Sequence, residues 1–366
     1  MYRLDDLESM REALRLAGEG TGLASPNPRV GAVLVKDGQI VGRGSHRYAA
    51  ISHAEVLAIQ EAGVRARGAT LYVNLEPCCH TGRTGPCTAA VREAGIARVV
   101  TGMTDPNPQV AGAGLRELAE AGIQVETDCL GREARRLNED FAKWVRTGLP
   151  FVTLKAAVSL DGRIAPAAGI SANISSGPSR ERVQRMRHER DAVLTGIGTA
   201  LTDNPLLTDR SKLPRRRPLW RVIADSRLRL APGSQLTKNA RRHHDLLVFH
   251  CQGAPERQAA LEKAGARVVK IDAGADGRLS LEALLRALGR EEILSVLLEG
   301  GSQLNGAMLH GGWVDKLVLF QAPRLLGDLG MPLATGLGTA LPRTPQGPLS
   351  GESVGPDLML ETYLNP

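Results

Sequence analysis

The chain has 366 residues, enough for two domains, and its 42% hydrophobic and 23% charged residues predict packed cores and exclude disorder. Only 3% of the residues are aromatic, which argues against a stacking surface for single-stranded nucleic acid. No apolar run reaches about 18 residues and the charged start lacks a signal-peptide core, so we expect no membrane helix. The net charge of +7 comes from residues 151–366, because residues 1–150 hold 18 basic and 18 acidic side chains.

The first 150 residues alternate helix and strand patterns, which predicts a three-layer α/β/α domain with a mixed sheet. Helical spacing of apolar residues predicts helices over 3–18, 54–66, 87–94, 112–121 and 132–146. Short apolar runs predict strands over 29–35, 39–44, 69–74, 97–102 and 123–126. The first two strands are joined at Asp37-Gly38, a strong hairpin signal.

Gly148-Leu149-Pro150 ends the last helix and marks the expected boundary between domains 1–147 and 148–366. Beyond it, strands are predicted over 151–158, 191–195, 219–225, 245–250, 266–271, 294–298 and 315–321. Helices are predicted over 178–189, 255–264, 280–288 and 302–309. Strands separated by helices indicate a mostly parallel sheet. The segment after about residue 335 is rich in Gly and Pro, and no element is predicted there.

A histidine and two cysteines have the spacing of a catalytic zinc site. One imidazole and two thiolates, from His53, Cys78 and Cys87, fill three positions on Zn²⁺ and leave the fourth for water. Zinc lowers the pKa of that water towards 7, and the Glu55 carboxylate can move protons without binding the metal. This H-x-E…P-C…C pattern is typical of base deaminases and predicts one zinc per chain. Cys79 competes with Cys78 as a ligand, but Pro77-Cys78 matches the pattern.

The loop between the two cysteine ligands is long and basic, which favours a substrate with a negative group such as phosphate. A deaminase acting on tRNA or DNA would predict a short Cys-x-x-Cys loop and a basic first domain, so nucleic acid is not the expected partner. A structural zinc protein would predict a fourth protein ligand and would give Glu55 no role. The five cysteines are an odd number, which indicates a reducing cytoplasm and no disulfide framework.

Three motifs resemble the bifunctional riboflavin biosynthesis deaminase-reductases, the RibD family: residues 25–33 (Ser-Pro-Asn-Pro-Arg-Val-Gly-Ala-Val), 53–55 (His-Ala-Glu) and 76–84 (Glu-Pro-Cys-Cys-His-Thr-Gly-Arg-Thr). The resemblance covers nearly the whole chain. It implies an α/β protein with a cytidine-deaminase-like domain followed by a dihydrofolate-reductase-like domain.

The resemblance also implies two reactions. The first is zinc-dependent hydrolytic deamination of 2,5-diamino-6-(5-phosphoribosylamino)pyrimidin-4(3H)-one. The second is NADPH-dependent reduction of the ribosyl chain of 5-amino-6-(5-phosphoribosylamino)uracil to the ribityl chain. In the deaminase half it implies Glu55 as the catalytic acid–base. It gives the substrate-binding roles to Asn27, His46, His80, Arg83 and Asp105. Gly85 departs from the family, which usually has proline there.

The second half lacks the G-x-G-x-x-G fingerprint, and its Gly300-Gly301 turn is by itself a weak signal for a phosphate site. Residues 155–163, 174–176, 194–199 and 203–208 are similar to reductases of the dihydrofolate reductase type. For NADPH the resemblance implies contacts from Ala157, Asn173, Thr199, Asp203, Ser226, Gly301 and Ser302. For the reductase substrate it implies Ser171, Arg187, Leu207, Arg210 and Glu299.

Several points stay open at the sequence level. The acid that assists hydride transfer is Asp203 or Glu299. Asn173 stands where the family often has an aromatic residue, so loss of one half-activity is an alternative. Residues 180–229 hold 13 basic and 6 acidic side chains, an excess suited to phosphate-bearing ligands. We expect a cytoplasmic homo-oligomer that acts on a small phosphoribosyl pyrimidine and has no membrane or nucleic-acid partner.

Overall fold

The computed structural model describes residues 2, 4–108, 110–337, 345 and 347–365. It divides into two compact units, one of Met1–Gly148 with Pro214–Arg217, the other of Leu149–Leu213 with Pro218–Pro366. In the described parts of the chain, every helix is too short or too polar to cross a bilayer.

The first unit has helices on both faces of one sheet. Its helices are α1 (Leu4–Gly18), α2 (Ala54–Ala62), α3 (Cys87–Glu93), α4 (Ala113–Glu120), α5 (Gly131–Leu137) and α6 (Glu139–Thr147). Its strands are β1 (Gly31–Lys36), β2 (Gln39–Ser45), β3 (Thr70–Val73), β4 (Arg98–Thr101) and β5 (Gln124–Glu126). The strand order is β2-β1-β3-β4-β5. β1 is antiparallel to β2 and β3, and β3, β4 and β5 are parallel.

Alternate residues of these strands bury opposite faces of the sheet, as the period of two requires. Leu34 and Leu71 join a core with Ala58 of α2, whereas Val33 joins a core with Met10 of α1. This confirms the predicted α/β/α architecture with a mixed sheet.

Two predicted helices of this unit differ in the structure. The helix expected over 54–66 ends at Ala62 and continues as a 3-10 helix, Gly63–Ala66. The single helix expected over 132–146 is two helices, α5 and α6, which meet at Asn138. The fully buried Asn138 amide accepts from Arg29 N (2.8 Å) and donates to Arg29 O (3.0 Å). A long-range contact therefore sets this break, and helical periodicity does not reveal it.

The second unit is built on a nine-stranded sheet. Its strands are β6 (Phe151–Val158), β7 (Arg163–Ala165), β8 (Ala192–Gly196), β9 (Trp220–Ala224), β10 (Leu246–His250), β11 (Arg267–Lys270), β12 (Ser295–Leu298), β13 (Lys316–Gln321), β14 (Met331–Pro332), β15 (Ser350–Val354) and β16 (Asp357–Tyr363). Its helices are α7 (Gly177–His188), α8 (Ile197–Asp203), α9 (Gln235–His243), α10 (Pro255–Lys263), α11 (Leu281–Arg290) and α12 (Ser302–His310).

The sheet order is β11-β10-β9-β8-β12-β6-β13-β16-β15, with β7 and β14 forming a separate pair. All neighbours from β11 to β13 are parallel, which confirms the expected mostly parallel sheet. β16 runs antiparallel to β13 and to β15. This hairpin was not expected, because it lies in the Gly- and Pro-rich segment. Residues 338–344, 346 and 366 of that segment lie outside the described residues.

Candidate active sites

Three metal-binding side chains lie close together in the first unit. The Nδ1 atom of His53 and the Sγ atoms of Cys78 and Cys87 all lie within 4.8 Å of one another. His53 Nδ1 is 3.1 Å from Cys87 Sγ and 3.5 Å from Cys78 Sγ. Ligand atoms around a tetrahedral zinc with bonds of about 2.0–2.3 Å are about 3.5 Å apart, so this donor set fits Zn²⁺.

The helix starts position these donors. His53 is the N-cap residue of α2, and Cys87 is the first residue of α3, immediately after Pro86. Cys87 N donates to Cys78 Sγ at 3.4 Å, which connects the loop cysteine to the helix. Gly44 of β2 allows α2 to approach closely, since a Cβ at this residue would lie 1.9 Å from Ala54 O. The sheet therefore holds the start of α2 where His53 and Glu55 are needed.

Glu55 lies in the first turn of α2 and is only 4% exposed. Burial raises the pKa of this carboxyl to about 7, where it can both accept and donate a proton near neutral pH. Hydrogen bonds from Cys87 and His53 lower the pKa of Cys78 to about 4, which favours the thiolate that binds metal. Cys79 is half-buried and stands outside the cluster of three ligands.

Two predicted substrate residues, Asn27 and His46, are linked by a hydrogen bond beside the metal ligand His53. Asn27 Nδ2 donates to His46 Nε2 at 3.0 Å, and His46 Nδ1 donates to Ser52 O at 3.2 Å. The His46 ring lies edge-on to the His53 ring, with centroids 5.3 Å apart. Burial lowers the pKa of His46, which favours the neutral ring that accepts one hydrogen bond at Nε2 and donates the other from Nδ1.

The other predicted substrate residues lie on loops. His80 and Arg83 are exposed in the loop between the cysteines, and Arg83 Nη1 donates to Tyr48 O at 3.2 Å. Asp105 is half-buried, and burial raises the pKa of its carboxyl.

Glu76 is a functional residue that sequence reasoning missed. Its Oε2 accepts from the backbone N–H of Asp105 and Gly112, each at 2.9 Å. Its Oε1 accepts from Gly114 (2.9 Å) and Leu115 (3.4 Å) at the start of α4. One buried carboxylate thus joins the segment that carries Cys78 to the loop that carries Asp105. The only sequence signal was its place two residues before Cys78.

In the second unit the predicted cofactor residues follow the carboxyl ends of the sheet's strands, where ligands of open α/β sheets bind. Ala157 lies near the end of β6, Thr199 and Asp203 lie in α8 after β8, and Ser226 follows β9. Gly301 is the N-cap residue of α12 after β12. The structure brings Thr199 and Gly301 together, because a Cβ on Gly301 would lie 3.2 Å from Thr199 Oγ1. Ser302 Oγ donates to Pro332 O, and Ser226 Oγ accepts from Leu279 N.

A largely buried charge cluster lies beside these strand ends, with side chains only 11–14% exposed. Arg187 donates to Glu299 through Nε (2.6 Å) and Nη2 (3.1 Å), and Lys155 Nζ is 4.0 Å from Glu299 Oε2. Burial opposes ionisation of Glu299, but Arg187 and Lys155 outweigh it and lower its pKa. Burial lowers the pKa of Lys155, and the attraction of Glu299 offsets only part of that effect. Lys155 begins one of the segments that resemble reductases, but the sequence does not predict it as a site residue, because only the fold places it against Glu299.

The remaining predicted reductase residues lie apart from this cluster in the described contacts. Ser171 and Asn173 are exposed, and Asn173 O accepts from Arg324 Nη1 at 3.1 Å. Asp203 is exposed at the end of α8, whereas Leu207 is buried. Arg210 is exposed, and its backbone N donates to Gln184 Oε1 at 3.0 Å.

Two family models match the chain. The zinc-binding region of cytidine and deoxycytidylate deaminases matches residues 4–103, and the RibD C-terminal domain matches residues 150–346. The riboflavin biosynthesis protein RibD of Escherichia coli strain K12 is 41% identical over 377 residues, which cover 98% of this chain and 99% of that protein.

Two solved structures are similar to this chain over 98% of its length. Acinetobacter baumannii RibD superimposes with a TM-score of 0.87 at 37% identity and covers 98% of both chains. The diaminohydroxyphosphoribosylaminopyrimidine deaminase/5-amino-6-(5-phosphoribosylamino)uracil reductase of Thermotoga maritima superimposes with a TM-score of 0.84 at 36% identity, also over 98% of both chains. Since similarity at this level spans both halves, the chain belongs to the RibD family of riboflavin biosynthesis enzymes and carries a zinc-binding deaminase domain and a reductase domain.

Proposed function

We propose that this chain catalyses two consecutive steps of riboflavin biosynthesis. It hydrolytically deaminates 2,5-diamino-6-(5-phosphoribosylamino)pyrimidin-4(3H)-one and then reduces the ribosyl chain of 5-amino-6-(5-phosphoribosylamino)uracil. The observation that carries the proposal is the cluster of His53, Cys78 and Cys87 beside the buried Glu55. The reductase half rests on the buried cluster of Lys155, Arg187 and Glu299.

In the deaminase site His53, Cys78 and Cys87 would hold one zinc ion, which when bound supplies an activated water. Glu55 would accept a proton from the attacking water, pass a proton to the ring nitrogen of the pyrimidine and help ammonia to leave. Its pKa of about 7 suits both transfers. Asn27 and His46 orient the base or ribose, and Asp105 borders the substrate. His80 and Arg83 meet the ribose and phosphate.

In the reductase site Ala157, Asn173, Thr199, Asp203, Ser226, Gly301 and Ser302 would line NADPH, which when bound supplies hydride. Opening the sugar ring also needs a proton on the ring oxygen. Lys155 is suited to donate this proton, because Glu299 attracts its ammonium group while burial lowers its pKa. Of the two acids left open by the sequence, we favour Glu299, acting through Lys155, since Asp203 is exposed.

The same substrate is bound, in this proposal, by Ser171, Arg187, Leu207, Arg210 and Glu299. Arg187 pairs with Glu299 through two nitrogens, which orients its guanidinium towards the strand ends. Arg187 and Arg210 are the candidates for the substrate phosphate.

The location and assembly of the protein belong to the same proposal. All five cysteines are free thiols, and three of them lie at or beside the zinc site, which favours a reducing compartment such as the cytoplasm. We also expect a homo-oligomer, for which sedimentation velocity is the test. A single species at the chain mass of 39.0 kDa would count against it.

The function is tested by following ammonia release and NADPH oxidation with purified protein and the phosphoribosyl pyrimidine. For Glu55→Gln we expect ammonia release to fall by about 10²–10⁴, because the amide cannot shuttle protons. Zinc content and NADPH oxidation with the deaminated pyrimidine should stay unchanged. Glu61→Gln on the same helix is the matched control. Near-normal ammonia release by Glu55→Gln would remove Glu55 from the mechanism.

A further inference from the structure

The ring of Tyr48 lies against two guanidinium groups. Cζ of Arg83, in the loop between the zinc-binding cysteines, is 4.6 Å from the ring centroid. Cζ of Arg216 is 3.9 Å from the same centroid. Both distances are within the range of cation–π contact. The two guanidinium carbons are therefore separated by no more than about 8.5 Å.

Arg216 belongs to a segment that packs in the first unit although it lies far along the chain from the zinc motifs. Residues Pro214–Arg217 are part of that unit. Arg216 N donates to Gly22 O at 2.8 Å, and Arg217 Nη2 donates to Ser25 Oγ at 3.0 Å. Prolines at both ends of the triple arginine restrict the backbone there, so less backbone entropy is lost when the segment is ordered.

The residues that this segment contacts lie close in the chain to two of the predicted substrate-binding side chains. Ser25 lies two residues before Asn27, and Tyr48 lies two residues after His46. Tyr48 N also donates to Leu23 O at 3.1 Å, which joins residues 22–27 to residues 46–48. We call these two segments together the wall of the deaminase site. Arg216 is thus held on the wall that carries the Asn27–His46 hydrogen bond, beside His53.

Two guanidinium groups no more than about 8.5 Å apart can both donate to one dianion. A phosphate accepts charge-assisted hydrogen bonds of about 2.7–2.9 Å from such groups. Arginine presents a planar set of donors that matches phosphate oxygens, which lysine does not.

We propose that Arg216 is a specificity-determining residue of the deaminase site and binds, together with Arg83, the phosphate of the pyrimidine substrate. The inference rests on the proposed function, in which the deaminase substrate carries a 5-phosphate. It adds a residue that none of the zinc-site motifs contains, from the segment Pro214–Arg217.

The test compares deamination of the phosphorylated substrate and of its dephosphorylated riboside by full-length wild type, Arg216→Ala and Arg216→Gln. For both variants we expect KM for the phosphorylated substrate to rise about ten- to hundred-fold, the range of a lost charge-assisted contact. KM for the riboside and kcat should change less than about threefold. The inhibition constant of ribose 5-phosphate, used as a competitive inhibitor of ammonia release, should rise by the same factor as KM for the phosphorylated substrate.

Two controls separate binding from folding. Arg132→Ala removes an exposed arginine of α5 in the same unit and should leave both KM values unchanged. Zinc content reports whether the first unit of each variant is folded, because the reductase unit is expected to work alone and NADPH oxidation would not detect a misfolded first unit. An equal rise of KM for the phosphorylated substrate and the riboside would overturn the inference, since Arg216 would then only support the wall. Unchanged KM values in active wild type and variants would overturn it as well, whereas a wild type that releases no ammonia would overturn the proposed function itself.

Discussion

At the level of single residues, the choice between adjacent cysteines is a clear test of the zinc site. Cys78 Sγ lies 3.5 Å from His53 Nδ1, and Cys79 stands outside the ligand cluster. We expect Cys87→Ala and Cys78→Ser to lose zinc, because two protein ligands bind it too weakly, and Cys79→Ser to keep one zinc per chain. Metal analysis after dialysis measures this. Near-stoichiometric zinc in Cys87→Ala would show that the assignment is wrong.

Lys155 gives a prediction about pH. A group that donates a proton works in its charged form, so reduction slows as the pH rises through its pKa. Burial lowers the pKa of Lys155 below the ordinary lysine value of 10.5, and Glu299 raises it again in part. Glu299→Gln removes that attraction and leaves Arg187 opposing the charge. The alkaline limb of kcat for NADPH oxidation should therefore move to lower pH in this variant.

The control for Lys155 is its replacement by methionine, which keeps the length of the side chain but has no proton to give. We expect kcat for reduction to fall by about 10²–10⁴ at every pH, with ammonia release unaffected. An alkaline limb that stays in place in Glu299→Gln would refute the coupling between Glu299 and Lys155.

At the level of elements, Glu76 connects the cysteine loop to α4. An amide in Glu76→Gln presents N–H where two backbone N–H groups now donate, so two charge-assisted hydrogen bonds are lost. We expect a loss of stability of about 3 kcal/mol and faster release of zinc to a chelator, because Cys78 follows two residues later. Thermal unfolding and chelator kinetics measure the two effects.

Glu117→Gln is the matched control for Glu76, because this half-buried acid of α4 forms an ion pair at 3.3 Å with the exposed Arg92. Such pairs contribute about 0–1 kcal/mol. If Glu76→Gln released zinc no faster than Glu117→Gln, the loop would not depend on that carboxylate.

Elements with a strong apolar period could be predicted from the sequence, and those held by distant partners could not. β1, β3, β4 and the parallel strands of the nine-stranded sheet follow local apolar runs. By contrast α9 is polar on most of its surface and buries Leu236 and Ala240 against a core that only the fold assembles. β15 and β16 could not be predicted, because β16 pairs with β13, a strand about 40 residues earlier, and β15 pairs with β16.

At the level of the whole molecule, the candidate sites also contain some residues that the sequence predicts and others that it does not. His53, Glu55, Cys78 and Cys87 could be predicted because each lies in a short motif whose spacing reflects its chemistry. Glu76, Lys155 and Arg216 act through partners 29 to 168 residues away in the chain. Glu76 and Lys155 lie in segments that resemble the family, but the sequence does not show which distant residues they contact, so only the tertiary structure gives them a role.

The two units also predict that the reductase half works alone. All three cores that pack on the nine-stranded sheet are made of residues between 149 and 364, so a fragment of residues 148–366 keeps its own core. We expect this fragment to be folded and to oxidise NADPH with the deaminated pyrimidine at near the full-chain rate. Circular dichroism and the coupled assay measure this, and an insoluble fragment would refute independent folding.

The same fragment tests the preference for NADPH over NADH, which follows from charge. Residues 180–229 hold 13 basic and 6 acidic side chains, but the structure uses several of these cations internally. Arg187 pairs with Glu299, the fully buried Arg221 pairs with Asp245, and residues Pro214–Arg217 belong to the first unit. Fewer cations are therefore left for the 2′-phosphate, so we expect about tenfold discrimination, the value of one charge-assisted contact. It should shrink as salt rises, because exposed charges are screened. Equal use of NADH and NADPH at low and high salt would contradict this explanation.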